Sequence, residues 1–154
     1  MSALSIDVAD LLAHAGSRRH VQLTAPVEGL VASTVRVSDE VEVDVTLERI
    51  PDGIVVRGEI GGRWHSECSY CLRPLDEAVT FHVDELFETD PVEGDTYPIE
   101  GRTIDLEQLV RDTILIELPL APHCAEPCAP EDFAHSEDPP TDPRWAALSD
   151  LEIQ

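Results

Sequence analysis

An α+β fold, an antiparallel sheet or partial barrel carrying one main helix, is what three features of this sequence predict. Apolar residues recur with a period of two through most of the stretch from residue 20 to residue 83. Just after residue 105 the period changes to that of a helix. Four cysteines fall in two pairs, Cys68/Cys71 and Cys124/Cys128, one on each side of that helix. A chain of 154 residues is long enough for one domain with a real core and short for two.

At the start, Leu4, Val8, Leu11, Leu12 and Ala15 sit at helical spacing and stop at Gly16, a suitable C′ residue. They predict a short amphipathic helix or turn over 4–15. Ser17-Arg18-Arg19-His20 is the one basic cluster and reads as a solvated loop. Val21 and Leu23 then open a strand that Pro26 ends, and Val31, Ser33, Val35 and Val37 share one face of the next, with Arg36 opposite. Val41, Val43, Val45 and Leu47 alternate with Glu42, Asp44, Thr46 and Glu48, the pattern of a strand with one wet face. Ser38-Asp39-Glu40 is expected to join these two runs as a hairpin, and Pro51-Asp52-Gly53 to make the following turn. Ile54, Val56 and Ile60 point inward with Arg57 and Glu59 outward, and Gly61-Gly62 is expected to form a bulge before Trp64. Val79, Phe81 and Val83 complete an antiparallel meander.

Residues 89–101 are acidic, contain Pro91, Gly94 and Pro98, and read as a mobile surface loop. The main helix is expected over 105–117, with Asp105 and Gln108 as a capping box and Leu106, Leu109, Val110, Thr113 and Ile114 as its buried face. Pro119 stops it. The prolines of Leu118-Pro119-Leu120-Ala121-Pro122 then extend the chain and deliver His123-Cys124 toward the first cysteine pair. The expected organisation is a single domain over 1–128 and an acidic, Pro-rich tail over 129–154, within which Arg144 to Leu148 could dock Trp145 and Leu148 as a short helix.

Two cysteines separated by two residues can aim both thiolates at one ion, and four thiolates suit a closed tetrahedral zinc site. Cys68, Cys71, Cys124 and Cys128 are therefore the expected zinc ligands, acting as a staple. Four reduced thiols, or two disulfides in a secreted protein, are the other readings. The first residues carry acids where a signal peptide needs positive charge, and no stretch approaches the ~20 apolar residues of a membrane span. A cytoplasmic protein without membrane contact is expected.

The net charge of −22 comes from 32 acids against ten basic residues, all of them arginine. Residues 81–154 hold 19 acids and three arginines, so that half has no basic face for nucleic acid. Such acidity either attracts a basic protein or is purely compositional. No Gly-rich phosphate loop, HExxH pair or defensible Ser/His/Asp order is present, and no enzyme activity is expected. His65 and His123 lie near the cysteines as substitute ligands or plain loop residues, while Tyr70 and Trp64 could cover the metal or stack on a base.

An ordered set of short segments resembles the YceD-like family, whose members are tied to large-subunit ribosomal RNA accumulation. They are Ile6-Asp7-Val8 with Asp10-Leu11-Leu12, Ala15 to Arg19, Glu67-Cys68-Ser69-Tyr70-Cys71-Leu72, Ile104-Asp105-Leu106, Val110-Arg111-Asp112, Leu118-Pro119-Leu120 before Cys124, and Pro143 to Leu148. Members with more cysteines resemble Cys-x3-Cys followed by Gly-Leu-Cys-Pro-x-Cys-Gly. Here Cys124 and Cys128 match the first part, and Ala129-Pro130-Glu131-Asp132-Phe133 replaces the second. The resemblance implies a factor for synthesis, processing or stability of large-subunit ribosomal RNA and transfers no catalytic residue. Joined to the charge, it leads us to expect a ribosomal precursor particle or a basic ribosomal protein as partner, with ribosomal RNA contacted indirectly. Arg18, Arg19 and Arg73 are the expected contacts. A zinc-stapled acidic adaptor for a basic protein, or a metal-dependent nucleic-acid-processing enzyme, are the alternative functions.

Overall fold

Most of the chain is built by β-branched residues on alternate positions, which fit a pleated surface with one dry face. The computed structural model describes residues 2–38, 40–126, 128 and 144. In chain order the elements are β1 (Ser5–Asp7), α1 (Ala9–Ala13), β2 (Arg18–Pro26), β3 (Val31–Ala32), β4 (Val35–Val37), β5 (Glu40–Ile50), β6 (Gly53–Glu67), β7 (Pro74–Glu88), β8 (Tyr97–Glu100), β9 (Thr103–Asp105) and α2 (Glu107–Glu117). The strands form one curled sheet in the order β1-β9-β8-β7-β6-β4-β3, with β5 paired to β6 and to β2. All pairings are antiparallel except β7 with β8. The α+β class, with a curled sheet and one main helix, is therefore the observed one.

The meander β5-β6-β7 forms as its alternation predicts. Val41, Val43, Val45 and Leu47 of β5, Ile54, Val56 and Ile60 of β6, and Phe81, Val83 and Phe87 of β7 are all buried on one face. α1 closes that core with Leu11, and α2 with Leu109, Val110 and Ile114. Burying each such side chain contributes roughly 1.5–3 kcal/mol. Among the described residues no side-chain nitrogen or oxygen is buried without a partner.

Several expectations are corrected. The helical spacing over 4–15 covers only α1, because Ile6 is drawn into β1 opposite Ile104 of β9. Arg18 to His20 are the start of β2, not a loop. The run 31–37 folds back on itself as β3 and β4, with Ser33 in the left-handed region at φ 55°. β4 then pairs with Trp64 and His65 of β6, not with β5, so β4 and β5 do not form the expected hairpin. No bulge occurs at Gly61-Gly62: β6 and β7 stay in one register from Ile54↔Phe87 to Glu67↔Pro74.

β6 requires glycine at Gly53 and Gly58, where a Cβ would stand 2.0 Å from the Phe87 carbonyl oxygen of β7 and 2.1 Å from the Asp44 carbonyl oxygen of β5. Residues 97–100 are not loop but β8, with Ile99 buried and Tyr97 stacked on Phe87 at 5.2 Å. The capping box is also absent. The N-cap of α2 is Leu106, Asp105 accepts from the Glu107 N–H, and Gln108 donates to Asp112 instead. The tail over 129–154, with its expected docking of Trp145 and Leu148, lies outside the described residues apart from Arg144.

Leu109 is 1% exposed, so Leu109→Ala should cost about 2–5 kcal/mol of unfolding free energy. Glu107 is an exposed partner of Arg111, and Glu107→Ala should stay within about 0.5 kcal/mol. Urea titration checks both, and equal effects at the two positions would contradict this packing.

Candidate metal centre

The fifteen-residue partners β6 and β7 form a long hairpin whose tip is the segment Cys68 to Arg73. The Cys68 N–H donates to the Arg73 carbonyl at 2.8 Å and the Leu72 N–H to the Cys68 carbonyl at 3.0 Å. These bonds fold the tip tightly enough to place Leu72 at φ 60°, an unusual conformation for a leucine. Cys68 and Cys71 are both buried there.

The second pair arrives from the end of α2. Leu118 is buried in the core, and the prolines that follow extend the chain alongside the tip. Ser69 holds this segment twice: its backbone N–H and its hydroxyl both donate to the Pro122 carbonyl, at 2.7 and 2.8 Å. Cys124 and Cys128 then meet the first pair, with Sγ–Sγ distances of 3.5 Å for Cys71–Cys124 and 3.5 Å for Cys68–Cys128. All four sulfurs lie within 4.8 Å of one another. A tetrahedral ion with metal–sulfur bonds of about 2.3 Å sets its sulfurs about 3.8 Å apart, so the cluster has the dimensions of one metal site.

The cluster is polarised in favour of a cation. The Cys68 thiol is pulled down to about 5, first by the Cys71 N–H and further by the N–H groups of Tyr70 and Cys124, against burial. The Cys124 thiol is pushed up to about 12, first by its hydrogen bond with Cys71. Cys128 is raised too, chiefly by burial. Backbone amides thus favour the Cys68 thiolate, and a divalent ion would displace the protons that Cys124 and Cys128 hold more tightly.

The histidines stay apart from this set. His65 faces Asp76 at 3.2 Å, and His123 turns to its own loop, 3.3 Å from the Ala121 carbonyl. Trp64 is a core residue on β6, while Tyr70 is 65% exposed. A shallow recess of about 620 Å³ beside the sulfurs is lined by Tyr70, Glu77, His123, Glu126 and the second cysteine pair.

The three arginines singled out from sequence are not together. Arg18 pairs with Glu48 at 2.7 Å, and Arg19 with Asp10 at 2.9 Å. Arg18 stands opposite Glu48, which stands opposite Val55. The cysteine tip begins thirteen residues beyond Val55, roughly 40 Å of strand away. Arg73 lies in that tip, exposed and without an ion pair among the described residues. Sequence reasoning missed the Ser69–Pro122 tether and the left-handed Leu72, which no local pattern announces.

A curled α+β sheet bearing a four-cysteine centre at one hairpin tip defines the class. The chain belongs to the family described as large ribosomal RNA subunit accumulation protein YceD, which matches residues 56–152, more than half of its length. It is also similar to an uncharacterized protein of Mycobacterium tuberculosis (strain H37Rv), 29% identical over 171 residues covering 97% of this chain and 82% of that one. An uncharacterized protein of Mycobacterium leprae is 27% identical, covering 98% of this chain and 78% of that protein. No solved structure gives a significant match. The family name implies a role in accumulation of the large-subunit ribosomal RNA. Among the described residues, no helix is long and apolar enough to cross a membrane.

Removing the Ser69 hydroxyl should loosen the second cysteine pair. Ser69→Ala is expected to cost about 1 kcal/mol, and Ser69→Pro, which also removes the N–H, more than twice as much. Thermal unfolding of both variants tests the tether.

Proposed function

We propose that this protein is a non-enzymatic cytoplasmic factor for the synthesis, processing or accumulation of large-subunit ribosomal RNA. In this reading Cys68, Cys71, Cys124 and Cys128 hold one structural zinc ion. The family membership carries the function, and the four converging sulfurs carry the metal. Zinc would supply a cross-link between hairpin tip and post-helix segment. Four thiolates complete its coordination, which leaves no position for substrate and argues against the nucleic-acid-processing enzyme.

The partner we propose is a ribosomal precursor particle or a basic ribosomal protein, with RNA reached from within the particle. A net charge of −22 opposes approach to bulk phosphate. The adaptor reading has one observation of its own. Glu85, Glu93, Asp95 and Asp112 line a groove of about 530 Å³, and burial together with Asp84 and Asp95 raises the Glu85 carboxyl. Of the proposed contacts Arg18, Arg19 and Arg73, only Arg73 is uncommitted, since the other two are engaged with carboxylates.

Protein purified without chelator should carry about one zinc per chain, as four thiolates require. Cys68→Ser or Cys124→Ser should lose the metal and destabilise the fold. Elemental analysis showing no metal, with chelator leaving the melting temperature unchanged, removes the staple. Affinity purification from lysate at moderate salt should recover precursor particles of the large subunit. Recovery of a free basic protein alone would favour the adaptor.

A further inference from the structure

Outside the cysteine cluster, the corner around the hairpin tip is one of the described surfaces that expose large apolar side chains. Tyr70 and Leu72 are 65% and 63% exposed, and they flank a cysteine whose own side chain is buried. The Tyr70 hydroxyl makes no hydrogen bond among the described residues. Arg73 follows directly.

A second cation reaches this corner from another strand. Arg36 of β4 stands opposite His65 of β6, which stands opposite Asp76 of β7. Residues directly opposite in a sheet share a face, so Arg36 and His65 lie on the outer one. The turn between β3 and β4 is tied to β6 next to the tip, through the Ser66 hydroxyl donating to the Thr34 carbonyl at 3.1 Å. Arg63, bonded to Asp76, completes the group.

Among the described residues, Arg36 and Arg73 are the arginines that make no ion pair and no side-chain hydrogen bond, in a chain holding 32 acids. With carboxylates this abundant, two unpaired guanidinium groups at one corner stand out. On the outer side of the strands at this corner, Arg36, Arg63 and Arg73 are accompanied by Asp76 and Glu67, while Glu77 and Glu126 line the recess beside Tyr70. Elsewhere the surface is dominated by acids, which repel phosphate.

We propose that the hairpin tip is a docking surface for an unpaired segment of RNA, with Tyr70 stacking on a base, Leu72 packing beside it, and Arg36 and Arg73 holding the flanking phosphates. The inference rests on the function proposed above and locates its RNA contact. An exposed aromatic beside free guanidinium groups suits single strands, whose bases are open to stacking, better than a duplex. A basic protein segment fits the corner poorly, because its cations would meet Arg36 and Arg73. The local cations oppose a repulsive mean field, so contact with a free strand is weaker than with RNA that a particle holds against the tip, yet still measurable.

The test is fluorescence anisotropy with a labelled single-stranded RNA of about 12 nucleotides and a duplex of equal length. The metal-replete full chain should bind the single strand at least about tenfold more tightly than the duplex. Tyr70→Ala and the pair Arg36→Glu/Arg73→Glu should each weaken that binding about tenfold or more, while Tyr70→Phe retains it. Unchanged zinc content and melting temperature show that the variants fold. Equal binding of strand and duplex, no binding of either, or indifference to Tyr70→Ala overturns the proposal. Co-sedimentation with precursor particles separates the two readings. Wild-type protein that sediments with particles, joined by Tyr70→Ala to the same extent, sinks the docking surface and leaves the proposed function standing. Wild-type protein that never joins particles sinks the function itself.

Discussion

The meeting of two cysteine pairs 52 residues apart in sequence is the constraint on which the outer end of this fold depends. Between Cys71 and Cys124 the chain completes β7, β8, β9 and α2, so the cluster closes a loop containing much of the domain. The conformational cost of closing a loop rises only with the logarithm of its length. A long loop with a packed core inside it can therefore be closed at little more cost than a short one. What closure secures is local: the tip of a fifteen-residue hairpin and an extended, proline-rich segment that has no sheet partner. Ser69 begins that closure with two hydrogen bonds to one carbonyl, and the sulfurs finish it.

The legible parts of the fold were those governed by neighbours in sequence. Val41 to Leu47 alternate because one face of β5 is buried, and Pro51-Asp52 turns because β5 and β6 pair immediately on either side of it. Elements fixed by distant partners were not legible. Ile6 falls inside the stretch that the spacing of Leu4, Val8, Leu11, Leu12 and Ala15 marks as helical, yet it joins β1 through its pairing with Ile104, nearly a hundred residues on. Ser33 keeps the parity of the valines around it, so nothing in the alternation marks the reversal between β3 and β4. Tyr97 to Glu100 are too few and too acidic to read as a strand. They become one because Ile99 reaches the core and Tyr97 stacks on Phe87.

The candidate site divides in the same way. Two-residue and three-residue cysteine spacings are visible as residues, and their convergence could be argued from the absence of any other cysteine. The state of an arginine is invisible in a sequence, because it depends on which carboxylate the fold brings within reach. Arg18, Arg19 and Arg73 look alike in the sequence. Folding sets Glu48 against the first and Asp10 against the second, and leaves the third exposed at the tip. Trp64 and Tyr70 part similarly: parity along β6 sends Trp64 into the core, while the turn keeps Tyr70 outside.

The net charge of −22 gains a direction from these placements. On the outer face of the sheet, much of the charge is neutralised across strands, with Arg57 between Glu48 and Asp84, and Arg63 with Asp76. Other acids line the groove of Glu85, Glu93, Asp95 and Asp112, where burial, and then the charges of Asp84 and Asp95, raise the Glu85 carboxyl. Of the unpaired arginines, Arg73 sits at the hairpin tip and Arg36 on β4, opposite His65 of β6. On the reading proposed above, such a molecule would approach a ribonucleoprotein surface with a preferred orientation, its groove turned toward basic protein and its tip toward exposed RNA. Within roughly one Debye length of about 8 Å, local charge outweighs the net charge in setting that orientation. On that reading an acidic chain would serve an RNA without a basic face, through the few free cations that the fold leaves near one end of the sheet, Arg36 on β4 and Arg73 in the hairpin tip.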